Sequence, residues 1–80
     1  MPNIDSVIRK LRRRPSQADY HDVERLLLHY GWFLRSEEGS HCTFKKEGER
    51  ALITVPKVSG KYVKGPYVDR ILNILGITGD

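Results

Sequence analysis

One stretch decides the predicted fold: HCTFKK, residues 41–46, in which polar and apolar side chains alternate. Successive side chains of a β-strand point to opposite faces of the sheet. Cys42 and Phe44 would therefore share one face, and His41, Thr43 and Lys45 would share the other. We predict a strand over residues 41–46 with Cys42 and Phe44 buried and His41 on an open face.

Two further strands flank this one. Residues 32–36 are rich in aromatic and apolar side chains, and residues 51–55 alternate in the same way as residues 41–46. Gly48-Glu49 supplies a turn before the last strand, and Pro56 ends that strand. Because the connections between the three strands are short, we predict an antiparallel meander.

Three helices are predicted from apolar residues that recur at i, i+3, i+4 and i+7. The first covers residues 3–14 from an Asn3 N-cap, and the second begins at an Asp19 cap after a short polar linker. The third begins with Pro66 at its first position, after a basic loop at residues 57–65. The order α-α-β-β-β-α predicts an α+β fold, in which the last two helices cover one face of the sheet and leave the other open.

Length and composition restrict the class of protein. Eighty residues suit a single domain, residues 1–80, and the lone Cys42 excludes an internal disulfide and a cysteine-based zinc site. No apolar run approaches the ~20 residues that span a bilayer, and the N-terminus lacks the features of a signal peptide. We therefore expect a cytoplasmic protein with no membrane partner. No glycine pattern typical of nucleotide binding is present, so we expect no cofactor. His21 and His29 are about two helical turns apart, too far for the i, i+4 pairing that holds a metal, so we expect no metal site.

The charge favours a polyanionic or acidic partner. Fourteen Lys and Arg against ten Asp and Glu give a net charge of +4. The basic side chains that we expect to bind RNA are grouped along the chain: Arg12 and Arg13, then Lys45 and Lys46, then Lys57, Lys61 and Lys64. A solvated helix end is the alternative interpretation of the first group. Tyr62 is the aromatic residue that we expect to be exposed to RNA or to a protein partner.

His41 carries the candidate chemistry. It follows a Gly39-Ser40 turn at an exposed strand position, and histidine titrates near neutral pH. RNA cleavage needs a base for the 2′-hydroxyl proton, an acid for the leaving oxygen and cations around the phosphate. From the residues alone, His41 is a candidate proton carrier, and an exposed strand histidine without a role remains the alternative.

An ordered set of landmarks resembles the HicA family of toxins: Gly31-Trp32, then Gly39-Ser40-His41-Cys42-Thr43-Phe44, then Ile53-Thr54-Val55-Pro56. The closing helix is similar to the closing segment of that family in Tyr67-Val68, Ile71-Leu72 and Gly76-Ile77. The resemblance covers residues 19–77 as an α-β-β-β-α core, to which the first helix is an addition.

The resemblance implies a fold like that of a double-stranded RNA-binding domain and metal-independent cleavage of messenger RNA. It implies that His41 is the catalytic histidine, that Gly39 and Ser40 form the turn presenting it, and that a HicB-type antitoxin covers the active face. Many members of the family carry a second histidine shortly after the Val-Pro pair, where this chain has Lys57-Val58-Ser59-Gly60. Lys57 or Lys61 would then assist His41 electrostatically.

Two other functions are compatible with the residues. One is a double-stranded RNA-binding module without catalysis, which would recognise groove shape and 2′-hydroxyl groups. The other is an interaction protein whose open sheet face serves only an antitoxin. RNA cleavage that depends on His41 separates the ribonuclease from both alternatives.

Overall fold

The structure, a computed structural model, describes residues 3–77, so the outermost residues of the predicted domain, 1–2 and 78–80, lie outside the described range. The elements follow in the order α1 (Ile4–Arg12), β1 (Gln17–Asp19), α2 (Tyr20–His29), β2 (Trp32–Glu38), β3 (His41–Lys46), β4 (Ile53–Pro56), β5 (Tyr62–Lys64) and α3 (Gly65–Ile74). The fold is α+β, as predicted.

Strand β3 lies at the centre of a three-stranded antiparallel sheet with the order β2-β3-β4. Its bounds are the predicted ones, residues 41–46. The alternation of side chains separates the two faces, because Cys42 and Phe44 are fully buried whereas His41 and Lys45 are exposed. The strand that was predicted to decide the fold therefore has one face in the core and one face open.

The predicted starts of the first two helices are confirmed by their caps. Asn3 Oδ1 accepts a hydrogen bond of 2.9 Å from the Ser6 amide, and Asp19 Oδ1 accepts one of 2.8 Å from the His21 amide. Each bond satisfies an amide group that a helix leaves unpaired in its first turn. Helix α1 ends at Arg12, before the predicted residue 14, since Arg14 has a positive φ of 57° that a right-handed helix does not accommodate.

The buried apolar side chains form one core between the sheet and the helices. Helix α1 belongs to this core, because Val7 and Leu11 on its inner face are at most 1% exposed. Trp32 is also buried and Tyr62 is exposed, as the sequence predicts. The largest fully buried side chains include Phe44, Leu11, Leu26, Leu27, Val7, Val23, Val55, Val63 and Val68.

Two predictions of irregular structure are wrong. The polar linker before α2 contains β1, and the basic loop at residues 57–65 contains β5. These strands form a second, two-stranded antiparallel sheet in which buried Ala18 lies opposite buried Val63. Three residues are too few for an alternating pattern to be recognised, and the pairing partner is distant in sequence.

Smaller differences concern the ends of elements. Strand β4 begins at Ile53 instead of residue 51, and Ala51 is exposed; β2 continues past the predicted residue 36 to Glu38. Lys64 is the N-cap of α3, so Pro66 occupies the second helical position instead of the predicted first. None of these shifts changes which face of the sheet is buried.

Substitution of Gly65 by alanine is expected to destabilise the protein. A Cβ atom at this position would lie 2.7 Å from the Pro15 carbonyl oxygen, which belongs to the backbone and cannot rotate away. The Gly65 amide also donates a 2.9 Å hydrogen bond to the Ser16 carbonyl, so α3 starts in direct contact with the chain before β1. We expect a loss of about 1–3 kcal/mol in the free energy of unfolding, measured by urea denaturation.

The matched control for this prediction is Asn73→Ala, an exposed position on the same helix. It should change the free energy of unfolding by no more than about 0.5 kcal/mol. If Gly65→Ala proved as stable as the wild type, the close approach of Pro15 to α3 would not constrain the fold.

Candidate active site

A two-residue turn, Gly39 and Ser40, joins β2 to β3 and places His41 at the first position of β3. Gly39 has a φ of +60°, the value of the first central residue in a type II′ hairpin turn. Glycine is strongly favoured there because a side chain strains this conformation. The local sequence therefore accounts for the turn that presents the histidine.

His41 lies between Glu38 of β2 and Pro56 of β4 in the register of the sheet. Residues directly opposite each other in an antiparallel pair have Cβ atoms about 4.5–5.5 Å apart and face the same side. Glu38 is therefore the residue directly across from His41 in β2, on the open face. The sequence alone does not single out Glu38 as the neighbour of His41, because only the register of the hairpin distinguishes it from Glu37.

Lys57 directs its ammonium group to the opposite, helix-covered face. Its Nζ lies 2.8 Å from Glu37 Oε2 and 4.8 Å from the centre of the Tyr20 ring, and its side chain is only 14% exposed. Glu37 is paired in register with buried Cys42, which places this ion pair on the same face of the sheet as Cys42, although Glu37 itself is partly exposed at the end of β2. The hydrogen bond to Glu37 raises the pKa of the Lys57 ammonium above its ordinary value.

Tyr20, the first residue of α2, lies beneath the Lys57–Glu37 ion pair on the helix side of the sheet. Burial raises the pKa of its phenol well above the ordinary value, and a hydrogen bond with the Cys42 thiol adds to the effect. Cys42 is a free cysteine with no exposed surface. The phenol and the thiol are therefore part of the packing beneath the sheet.

The other basic residues predicted to bind RNA lie at different places in the fold. Lys45 shares the open face with His41, whereas Lys46, opposite Trp32, faces the helices and is partly buried. Arg12 and Arg13 are exposed at the end of α1, and the exposed Lys61 and Lys64 flank Tyr62. The structure thus brings Lys45 to the face of His41 and distributes the remaining exposed cations over other surfaces.

A cleft of about 210 Å³ separates the start of α2 from the segment that leads into β5. It is lined by Asp19, Tyr20, His21, Gly60, Lys61 and Tyr62. Tyr20 also contacts Lys57, so the cleft lies next to the Lys57–Glu37 ion pair. Within residues 3–77, no group of three or more His, Cys, Asp or Glu is arranged to hold a metal ion. No helix in that range is long and apolar enough to cross a membrane.

Comparison with known families shows which family the chain belongs to. A family model described as "HicA toxin of bacterial toxin-antitoxin" matches residues 20–77, most of the chain. The chain belongs to the HicA toxin family. The predicted family is thereby confirmed, and with it the assignment to a bacterial toxin–antitoxin system in which the toxin has an antitoxin partner.

The matched range of this HicA toxin starts at the first residue of α2 and includes the Gly39-Ser40 turn and His41. Helix α1 and strand β1 precede it, although Val7 and Leu11 of α1 are fully part of the core. No curated protein and no solved structure matches the chain.

Proposed function

We propose that this HicA toxin is an endoribonuclease that cleaves messenger RNA with His41 as its catalytic histidine. The observation that carries the proposal is the position of His41, which is exposed at the start of the central strand and follows a tight glycine turn. A base on a rigid strand keeps its orientation when substrate binds, which is the condition for efficient proton transfer. The same residues lie inside the range that matches the toxin family.

The reaction uses the 2′-hydroxyl of the RNA as its nucleophile. His41 accepts the 2′-hydroxyl proton, the oxygen attacks the adjacent phosphorus, and the bond from phosphorus to the 5′-oxygen breaks as that oxygen takes up a proton from water. Glu38, directly opposite His41 in the sheet, is our candidate for the group that stabilises the imidazolium formed when His41 takes up this proton. This route needs proton carriers and cations around the phosphate, and it has no step that requires a metal ion.

Exposed cations and one aromatic residue supply the contacts to RNA in this proposal. Lys45 lies on the same face as His41, while Lys61 and Lys64 lie beside Tyr62. Stacking of a base on an aromatic ring is worth about 1–3 kcal/mol, so Tyr62, 38% exposed, would add to the electrostatic attraction. Arg12 and Arg13 would extend the basic surface to the end of α1.

The partner proposed for the open face is a HicB-type antitoxin. The face that carries His41 is not covered by the helices, and a protein bound over it would exclude RNA from the histidine. We infer that toxin and antitoxin meet in the cytoplasm, where messenger RNA is translated.

The test is RNA cleavage by the purified protein without its antitoxin and in the presence of EDTA. We expect a single-stranded messenger RNA to be cut under these conditions and the cuts to stop when the antitoxin is added. Binding of double-stranded RNA without cleavage of any RNA would instead favour the non-catalytic binding module. Expression of the protein without its antitoxin should arrest growth if the protein is a ribonuclease and should not arrest growth if it is the non-catalytic binding module.

A further inference from the structure

The backbone of Lys57 is hydrogen-bonded to the turn that presents His41. The Lys57 amide donates a 2.7 Å hydrogen bond to the carbonyl oxygen of Ser40, the residue directly before His41. This bond follows the His41–Pro56 pair and extends the ladder between β3 and β4 by one residue. The last residue of the presenting turn is therefore tied to the end of β4.

The side chain of Lys57 holds the same turn from its other end. Its ammonium crosses to β2 and lies 2.8 Å from the carboxylate of Glu37, two residues before Gly39. The ring of Tyr20 lies beneath the ammonium at 4.8 Å and connects the pair to the start of α2. Lys57, which follows the end of β4, thus contacts the end of β2 through Glu37, the residue before β3 through Ser40, and the start of α2 through Tyr20.

We propose that Lys57 is a positioning residue, which fixes the β2–β3 turn so that His41 is held in one orientation for RNA cleavage. The inference rests on the proposed function of His41 and adds a residue that acts through the turn without touching the RNA. It differs from the expectation that Lys57 binds phosphate or assists the reaction electrostatically.

Exposure distinguishes Lys57 from a lysine that is available to a phosphate. Its side chain is 14% exposed, whereas Lys10, which forms a comparable ion pair of 3.0 Å with Asp22, is 64% exposed. An ammonium that is bound by a carboxylate and placed over an aromatic ring would have to lose these partners to meet RNA. A lysine ammonium is charged at neutral pH at its ordinary pKa, and the hydrogen bond to Glu37 raises the pKa of Lys57 further.

The experiment compares Lys57→Met, Lys57→Arg and Glu37→Gln with the wild type in cleavage of one defined messenger RNA. Lys57→Met and Glu37→Gln should each lower kcat by about 10- to 100-fold with KM little changed, because a misplaced catalytic group slows the chemical step. Lys57→Arg, which can still donate to Glu37, should recover most of kcat. Glu37 is 48% exposed, so we expect Glu37→Gln to fold, and it tests the proposal even if Lys57→Met does not fold.

A phosphate-binding lysine would give the opposite pattern. Lys57→Met would then raise KM and reduce the salt dependence of RNA binding by about one charge, while Glu37→Gln would release the ammonium and tighten binding. Either result overturns the proposal. Lys10→Met is the matched control, since it removes a lysine from an ion pair outside the presenting turn and should leave kcat unchanged in the folded protein.

A second measurement separates this inference from the proposed function. The imidazole signals of His41 in NMR spectra report its orientation whether or not RNA is cut. We expect them to broaden or shift in Lys57→Met and Glu37→Gln and to stay in place in Lys57→Arg and Lys10→Met. Unchanged signals in all four variants would show that Lys57 does not position His41. A wild type that does not cleave RNA would refute the proposed ribonuclease function and leave the positioning of His41 by Lys57 to be decided by these spectra.

Discussion

Replacement of His41 by alanine is expected to lower the rate of RNA cleavage by about 10²- to 10⁴-fold, the usual contribution of a positioned proton-transfer group. The same change should alter the free energy of unfolding by no more than about 0.5 kcal/mol, because the side chain is exposed and lies outside the core. The measurement is kcat/KM on a defined messenger RNA, with urea denaturation of the same preparations.

His29→Ala is the matched control for this variant. His29 is exposed at the end of α2, far along the helix from its start near the presenting turn, and should be replaceable without loss of cleavage. In growing cells, the wild type and His29→Ala should arrest growth in the absence of antitoxin, and His41→Ala should not. Equal cleavage by the wild type and His41→Ala would remove His41 from the mechanism.

Features of the fold that depend on neighbouring residues are predictable from the sequence. The alternation over residues 41–46 identifies both the bounds of β3 and its buried face. The caps Asn3 and Asp19 are also local, since each side chain bonds an amide two or three residues ahead. Because the bounds of β3, its buried face and the two caps depend on residues close in sequence, they can be predicted without the tertiary structure.

Features that depend on distant residues are not predictable in this way. Strands β1 and β5 are three residues each and pair across a long stretch of the chain, with buried Ala18 opposite buried Val63. The need for glycine at Gly65 arises from the approach of the Pro15 carbonyl and leaves no sign in the residues beside it. Neither strand is therefore predicted from the residues beside it, and the need for a glycine at position 65 is not predicted either.

The candidate site contains features of both kinds. The exposure of His41 and the turn at Gly39 follow from local pattern. The environment of Lys57 does not, because its contact with Glu37 depends on the register of three strands and its contact with Tyr20 on the placement of α2. Charge in the sequence indicates a cation, but the tertiary structure decides whether that cation meets solvent, RNA or a carboxylate.

Replacement of Phe44 by alanine is expected to have the largest effect on stability. Phe44 is fully buried on the central strand, and truncation of a buried phenylalanine costs about 3–5 kcal/mol through lost burial and the cavity left behind. A typical domain is stable by only about 5–15 kcal/mol, and a chain of 80 residues lies toward the lower end of that range. Each kcal/mol lost should lower Tm by about 4–8 °C in a domain of this size.

Phe33 provides the matched control, since it is the other phenylalanine of the chain and is 47% exposed opposite Lys45 on the open face. Phe33→Ala should cost less than about 1 kcal/mol by urea denaturation, and equal losses at the two positions would contradict the assignment of the buried face. Phe44 and His41 lie on the same strand but on opposite faces. Phe44→Ala should therefore lose cleavage only in proportion to the unfolded fraction, whereas His41→Ala should lose it while fully folded.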